Sequence, residues 1–134
     1  MILRMALLAS LVLAAPAVAQ EALRKEVALS DGATLRALDT ITGRLDDLVL
    51  LVGETQGFGR LEITLRECRY PVDNPASDAF AYLEINDTRE DGLQFQGWMT
   101  AASPSLSAMD HQRYDVWVIR CNIPAAASEE NTDG

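Results

Sequence analysis

The segment between the two tryptophans, GWMTAASPSLSAMDHQRYDVW at residues 97–117, contains the residue types of a serine hydrolase. Three serines precede His111, the only histidine in the chain, and Asp115 follows it. In such enzymes the histidine takes a proton from a nucleophilic serine while an aspartate orients the histidine. Ser103, His111 and Asp115 therefore define one candidate site for hydrolysis or small-ligand binding. The sequence has no G-x-S-x-G motif, the strained turn that presents the serine in one large class of hydrolases.

The same segment also has the pattern of a short helical crossover between two strands. Ser103 is a favourable residue for a helix N-cap, and Pro104 fits the first helical position. Leu106 and Met109 lie three residues apart, so one helical face would turn both towards the core. In this interpretation His111 is a loop residue that forms hydrogen bonds across the crossover, and no catalysis is implied.

Trp98 is the main candidate for a protein contact. It shares the polar side of its strand with Gln94 and Gln96, which predicts partial exposure. Exposed tryptophan and tyrosine side chains often anchor protein interfaces. The alternative is that both tryptophans lie in the core. The candidate interaction surface consists of Trp98, Ser103, His111, Tyr114 and Asp115.

The sequence gives little support for a metal site. One histidine and two cysteines cannot form a closed zinc site. The acidic segments lack the spacing of a calcium-binding loop. Asp87, Glu90 and Asp91 could hold a surface calcium ion, but a solvated hairpin tip explains them as well. We therefore expect no metal and no cofactor.

Most of the segments that must position these residues alternate between apolar and polar side chains, as β-strands do. The segment 45–52 is instead apolar on both faces from Leu48 onwards, as a strand buried on two sides would be. Six strands at short spacing predict an all-β fold, a small antiparallel β-sandwich or barrel with one short helical crossover. A hairpin turn with a positive φ is expected at Asp91-Gly92. The predicted strands are 34–41, 45–52, 58–70, 79–87, 93–100 and 114–121.

The third predicted strand changes phase before its cysteine. Leu65 ends an alternating apolar series, and Cys68 falls on the opposite parity. We expect a β-bulge near Arg66-Glu67 that turns Cys68 towards the core. The only other cysteine, Cys121, completes no zinc or redox motif with it, so an exported protein would join the two in a disulfide. A buried free pair and a redox couple remain the alternatives.

The N-terminal segment has the features of a secretory signal peptide. Arg4 precedes an apolar run, Pro16 ends it, and Ala17-Val18-Ala19 is a small-residue cleavage site. We therefore predict cleavage after Ala19 and a periplasmic location, with an uncleaved membrane anchor as the alternative. The predicted organisation is a signal peptide at 1–19, an arm with a helical turn or no fixed structure at 20–33, a β domain at 34–123, and a disordered acidic tail at 124–134.

The charge of the chain excludes two classes of partner. It carries 20 acidic and 11 basic side chains, a net charge of −9. Signal cleavage removes only Arg4 from this count, so the mature chain would carry 10 − 20 = −10. Such a surface repels nucleic-acid phosphates and anionic lipid. We therefore expect no nucleic-acid partner. No second apolar stretch approaches membrane length, so we also expect no direct membrane insertion after cleavage.

Five segments form a distinctive combination: LRALDTITGR, VGETQGFGRLEITLREC, AFAYLEINDT, FQGWMTAASPSLSAMDH and YDVWVIRC. Together they resemble the proteobacterial domain-of-unknown-function family 2155, from Leu35 to Cys121. The resemblance implies a small exported protein and supplies no catalytic residues. With the residue patterns above, it favours a non-enzymatic periplasmic domain that binds another envelope protein or a membrane-complex subunit.

Overall fold

The computed structural model describes residues 26–123, which form eight β-strands and a single 3-10 turn. The chain is therefore all-β, as the sequence predicts. Among these residues no helix is long and apolar enough to cross a membrane. The predicted signal peptide, the first part of the predicted arm and the predicted tail lie outside the described residues. The strands are β1 Val27–Ser30, β2 Gly32–Asp39, β3 Leu45–Leu51, β4 Thr55–Phe58, β5 Leu61–Pro71, β6 Phe80–Asp87, β7 Leu93–Thr100 and β8 Tyr114–Asn122.

The strands form two antiparallel sheets, and neither closes into a barrel. The larger sheet has the order β1-β5-β6-β7, with β4 also pairing with β5. β1 pairs with the C-terminal end of β5 and β4 with its N-terminal end, so the two short strands share one edge. The smaller sheet has the order β3-β2-β8. Side chains of both sheets meet in one hydrophobic core, including Leu35, Leu50, Ile63, Leu83 and Val118.

All six predicted strands are present, each within a few residues of its expected ends. The expectation that 45–52 is buried on both faces is wrong: Leu48 and Leu50 face the core, but Val49 and Leu51 are 60% and 57% exposed on the outer face. β1 and β4 were not predicted. β1 lies in the segment 20–33 that was expected to be an arm, and its backbone pairs with residues 68–71. Both strands have only four residues, too few for a clear alternation. Their strand conformation depends on β5 as a partner, which the local sequence does not reveal.

Two bulges turn the cysteines towards each other. The register between β5 and β6 shifts between Leu65 and Glu67, which confirms the predicted bulge. An unpredicted second bulge lies in β8. Thr34 of β2 pairs with Arg120, but the following Leu35 pairs with Val118, so Ile119 is the extra residue. Each bulge reverses the parity of its strand, so both cysteines point into the core. Cys68 and Cys121 form a disulfide that links the two sheets, with 5.8 Å between their Cα atoms.

The crossover between β7 and β8 is less helical than predicted. Pro104–Leu106 forms one 3-10 turn, and the Ser103 side chain makes no capping hydrogen bond. Met109 is buried as predicted, but Leu106 is 78% exposed, so its predicted core position is wrong. A single turn is too short to bring the two residues onto one helical face. The hairpin turn before β7 has its positive φ at Gly92, as expected.

Candidate functional site

A buried carboxylate lies where the crossover meets the end of β6. The Asp87 side chain is fully buried and accepts hydrogen bonds from three donors. Nη2 of Arg60, from the turn between β4 and β5, lies 3.0 Å from Oδ2. Nε2 of His111 lies 2.9 Å from the same oxygen, and the backbone N–H of Arg89 lies 2.9 Å from Oδ1. Asp87 therefore joins the crossover to the larger sheet through charge-assisted bonds.

The neighbours of Asp87 keep it ionised. Burial by itself would raise the pKa of the Asp87 carboxyl. The Arg89 N–H, the His111 bond and the Arg60 charge outweigh that effect and hold the pKa below its usual value. Both carboxylate oxygens are occupied by these donors, which leaves Asp87 poorly suited to bind calcium with Glu90 and Asp91. Within residues 26–123 no three His, Cys, Asp or Glu side chains are grouped to hold a metal ion.

The hydrogen bonds around His111 determine where its ring proton lies. Nδ1 accepts the backbone N–H of Arg113 at 3.0 Å and of Tyr114 at 3.1 Å. Nδ1 therefore carries no proton, and Nε2–H donates to Asp87. Both ring nitrogens are thus engaged, and the side chain is only 5% exposed. This geometry leaves no lone pair to accept a proton from a serine, as a hydrolase would require.

Tyr114 lies in the core beneath this network, although the sequence placed it on an interaction surface. Its ring packs edge-on against Phe58, with 5.9 Å between ring centroids, and lies 5.2 Å from the His111 ring. Its hydroxyl accepts the backbone N–H of Arg60. Gly59 passes directly over it with a φ of +56°, and a Cβ there would approach the hydroxyl to 2.5 Å. Tyr114 is therefore a core residue that supports the site from below.

A second ion pair holds the end of the crossover to β2. Nε and Nη2 of Arg113 donate to the two carboxylate oxygens of Asp39 at 3.0 and 2.7 Å. These bonds outweigh burial and hold the pKa of the Asp39 carboxyl far below its usual value. Sequence reasoning missed this pair, because its members lie 74 residues apart and each resembles an ordinary surface charge. It also missed the role of Arg60.

A cleft of about 500 Å³ opens beside His111. Its lining is polar and includes Arg60, Glu90, Asp110 and Arg113. Both arginines already pair with an aspartate, whereas Glu90 and Asp110 form no ion pair in the part of the chain that the structure describes. No serine, threonine or cysteine is among its lining residues. The cleft has the size of a small-ligand site but contains no nucleophile.

The predicted interaction residues do not share one surface. Trp98 is 36% exposed on the outer face of the larger sheet. Asp115 is exposed on the outer face of the smaller sheet, on the other side of the core from Trp98. In the sheet register it lies opposite Leu38 of β2. Ser103 is half-buried at the start of the crossover, and its carbonyl accepts the Thr100 hydroxyl. His111 and Tyr114 are buried, as described above.

Trp98 is the member of the predicted set that forms an exposed aromatic cluster. It packs edge-on against its cross-strand neighbour Tyr82, with 5.3 Å between ring centroids and 79° between ring planes. The Arg69 guanidinium lies 5.1 Å from the indole centroid. Arg69 in turn pairs with Glu67 at 2.8 Å. We call Trp98, Tyr82 and Arg69 the Trp98 cluster.

Comparison with known proteins identifies relatives of unknown activity. The family model described as "Uncharacterized protein conserved in bacteria (DUF2155)" matches residues 33–121. The "Uncharacterized protein RP359" of Rickettsia prowazekii (strain Madrid E) is 33% identical over 88 residues. That similarity covers 63% of this chain and 57% of the relative, so the chain corresponds to little more than half of that protein. No solved structure matches.

Proposed function

This chain belongs to the uncharacterized bacterial family DUF2155, and we propose that it serves there as a non-enzymatic protein-interaction module of the cell envelope. The observation that carries this proposal is the Trp98 cluster. Tryptophan, tyrosine and arginine are the residue types that contribute most binding energy at protein interfaces. Here a tyrosine and an arginine both contact one tryptophan on an exposed sheet face.

The contacts within the cluster are already formed in the free chain. Trp98 is held by the Tyr82 ring on one strand and by the Arg69 guanidinium beyond it. Side chains that are already ordered lose little conformational entropy on binding. Polar side chains surround the cluster, since Arg66 pairs with Glu84 at 2.9 Å on the same face. An aromatic centre with a polar rim is the usual composition of a protein interface.

The partner is a protein with a basic contact surface, located in the same envelope compartment. The net charge of −9 favours a positively charged surface and disfavours an acidic one. The N-terminal pattern supports export, and the disulfide supports an oxidising compartment such as the periplasm. Cell fractionation with mass measurement tests this location. The expected product is periplasmic and lacks residues 1–19, and a cytosolic full-length chain would contradict the proposal.

Affinity capture from the periplasm tests the interaction. The tagged full chain is expected to recover a specific partner, and Trp98→Ala to lose it. Leu106→Ala is the matched control, because that side chain is also exposed but lies in the crossover. Urea unfolding of both variants verifies that they remain folded. Recovery of no specific partner, or of the same partner by Trp98→Ala, would count against the proposal.

Small-ligand binding at the cleft beside His111 is the second candidate function. It is favoured by the cleft volume and by Nε of Arg60, which is buried there without a hydrogen-bond partner. The hydrolase form of this alternative is disfavoured because both His111 nitrogens are engaged. A fluorophosphonate probe is therefore expected to leave Ser103, Ser105 and Ser107 unlabelled. Labelling that disappears in His111→Ala would favour the hydrolase over the interaction module.

A further inference from the structure

We propose that two copies of this chain associate through β3, whose open edge forms a continuous six-stranded sheet across a two-fold axis. This contact lies on the smaller sheet and is independent of the Trp98 cluster on the larger one. The proposal rests on the direction of backbone groups in β3, the exposed side chains of the same residues, and the local charge.

On the side away from β2, the described residues give the β3 backbone a partner only at Leu51, whose N–H and C=O both bond to Glu54. The N–H of Val52 bonds to Asp31, beside β2, whereas the N–H of Leu51 bonds to the Glu54 carboxylate on the opposite side. Backbone groups alternate in direction along a strand. Asp47 and Val49, which have the same parity as Leu51, therefore direct both their N–H and C=O groups away from β2. Among the described strands, β3 pairs with β2 alone.

Apart from Asp47, the residues of this parity expose aliphatic side chains. Leu45, Val49 and Leu51 are 52%, 60% and 57% exposed, while the intervening Leu48 and Leu50 are buried in the core. A row of aliphatic side chains beside an open strand edge is a ready template for pairing with another strand.

Every other strand edge in the described part of the chain has a protective feature. β1 and β4 are only four residues long. β7 pairs through a shifted register. β8 contains its own bulge, and the crossover residue Met109 packs beside its Val116. β3 pairs with β2 over seven residues without a register shift and contains neither proline nor lysine. Asp46, Asp47 and the Glu54 carboxylate protect part of this edge, but the outward backbone groups of Asp47 and Val49 stay open to a partner strand.

The register of β3 favours a second copy as that partner. When two identical strands pair in antiparallel fashion, a two-fold axis passes between one residue and the same residue of the other copy. We name each possible axis by that residue. An axis at Asp46 or Asp47 would oppose two like charges. An axis beyond Leu48 would set Asp47 or Val49 against Leu51, whose N–H Glu54 already occupies. An axis at Leu48 sets Asp47 against Val49 of the other copy twice. The free donors and acceptors of these residues then satisfy each other.

The outer face of the smaller sheet has positive charges that offset its negative ones. Arg36 forms an exposed ion pair with Asp47, and Arg120 lies close enough to Asp47 to lower the pKa of that carboxyl. With Asp115, the face carries two positive and two negative charges on a chain of net charge −9. Two copies can therefore approach here without a local excess of like charge.

Sedimentation velocity of the purified full chain over a wide concentration range tests the proposal. A concentration-dependent dimer is expected, and added salt should strengthen it by screening the net negative charge. Val49→Pro removes one outward donor per copy but no bond to β2, so the monomer should stay folded while the dimer weakens about thirtyfold. Leu48→Pro, which removes a bond to β2, should instead destabilise the monomer.

A charge series at position 49 tests the register and does not depend on the proline variant. Val49 faces Asp47 of the other copy, so Val49→Asp should dimerise more weakly than Val49→Thr, and Val49→Arg more tightly. A monomer at all concentrations would overturn the proposal, as would a dimer insensitive to Val49→Pro and to the sign of the charge. A chain that stays monomeric but loses a captured partner through Val49→Pro would assign the edge to a different protein.

Discussion

Replacement of Asp87 by asparagine should lower the free energy of unfolding by about 3 kcal/mol at neutral pH. The substitution preserves the shape of the side chain, so it leaves no cavity. It removes the negative charge from a fully buried group that accepts bonds from Arg60, His111 and the Arg89 backbone. The loss therefore measures how much this network stabilises the junction between crossover and sheet.

The magnitude follows from the orientation of the new amide. If its oxygen faces Arg60 and His111, its NH₂ faces the Arg89 N–H, and an unsatisfied buried donor costs about 1–3 kcal/mol. The two remaining bonds lose their charge assistance, which roughly halves their strength. The reverse orientation opposes two donors and costs more. His111 cannot adapt by moving its proton, because Nδ1 already accepts two backbone N–H groups.

Urea unfolding at equilibrium measures this loss as a lower midpoint with an unchanged m value. Asp47→Asn is the matched control, since it makes the same chemical change in the exposed pair with Arg36. Exposed pairs contribute little to stability, so the control should unfold almost as the parent does. If Asp87→Asn costs no more than Asp47→Asn, the network does not stabilise the junction and the reasoning is refuted.

Three further predictions concern the disulfide, a glycine and the pH dependence. The double variant Cys68→Ala, Cys121→Ala should lower the free energy of unfolding in urea by about 4 kcal/mol, because the unfolded chain gains the entropy of an open loop across a separation of 53 residues. A loss below about 1 kcal/mol would contradict this. Gly59→Ala should lower the free energy of unfolding more than Gly92→Ala does. Both glycines have a positive φ, but only a Cβ at position 59 would clash with the Tyr114 hydroxyl. Equal losses would exclude this clash. Because the folded pKa of Asp87 lies below the unfolded value of about 3.9, its contribution is complete above that value and is lost as the pH falls towards the folded pKa. Unfolding midpoints measured down to pH about 3 should therefore fall less steeply in Asp87→Asn than in the parent, and parallel profiles would contradict the assignment.

The overall fold could be predicted because its main strands carry their own signal. Alternation of side chains identified β2, β5, β6, β7 and β8, since each has one face in a core that the sequence pattern records. β3 was identified from its apolar run, which did not reveal that one of its faces is exposed. The phase change before Cys68 located the bulge in β5. Two cysteines allow one intramolecular pairing, so the disulfide partners followed once oxidation was assumed.

The candidate site could be predicted only in part. Trp98 was identified from the polar side of its strand, but Tyr82 and Arg69 join it through cross-strand pairing that local patterns do not specify. His111 was expected to form hydrogen bonds across the crossover, and it does. Its partner Asp87 was assigned to a different hypothesis, because a carboxylate in a hairpin segment resembles an exposed charge.

The sequence by itself determined the strand class, most strand positions and one bulge, because these depend on neighbours close along the chain. Only the tertiary structure determined which charges are buried. Arg60 and His111 lie 27 and 24 residues from Asp87, and they make its burial favourable by donating to it from separate elements. Likewise, β1 and β4 become strands because β5 offers them backbone partners. Local periodicity reports which face of a strand is apolar, whereas contacts between distant segments decide what that face meets.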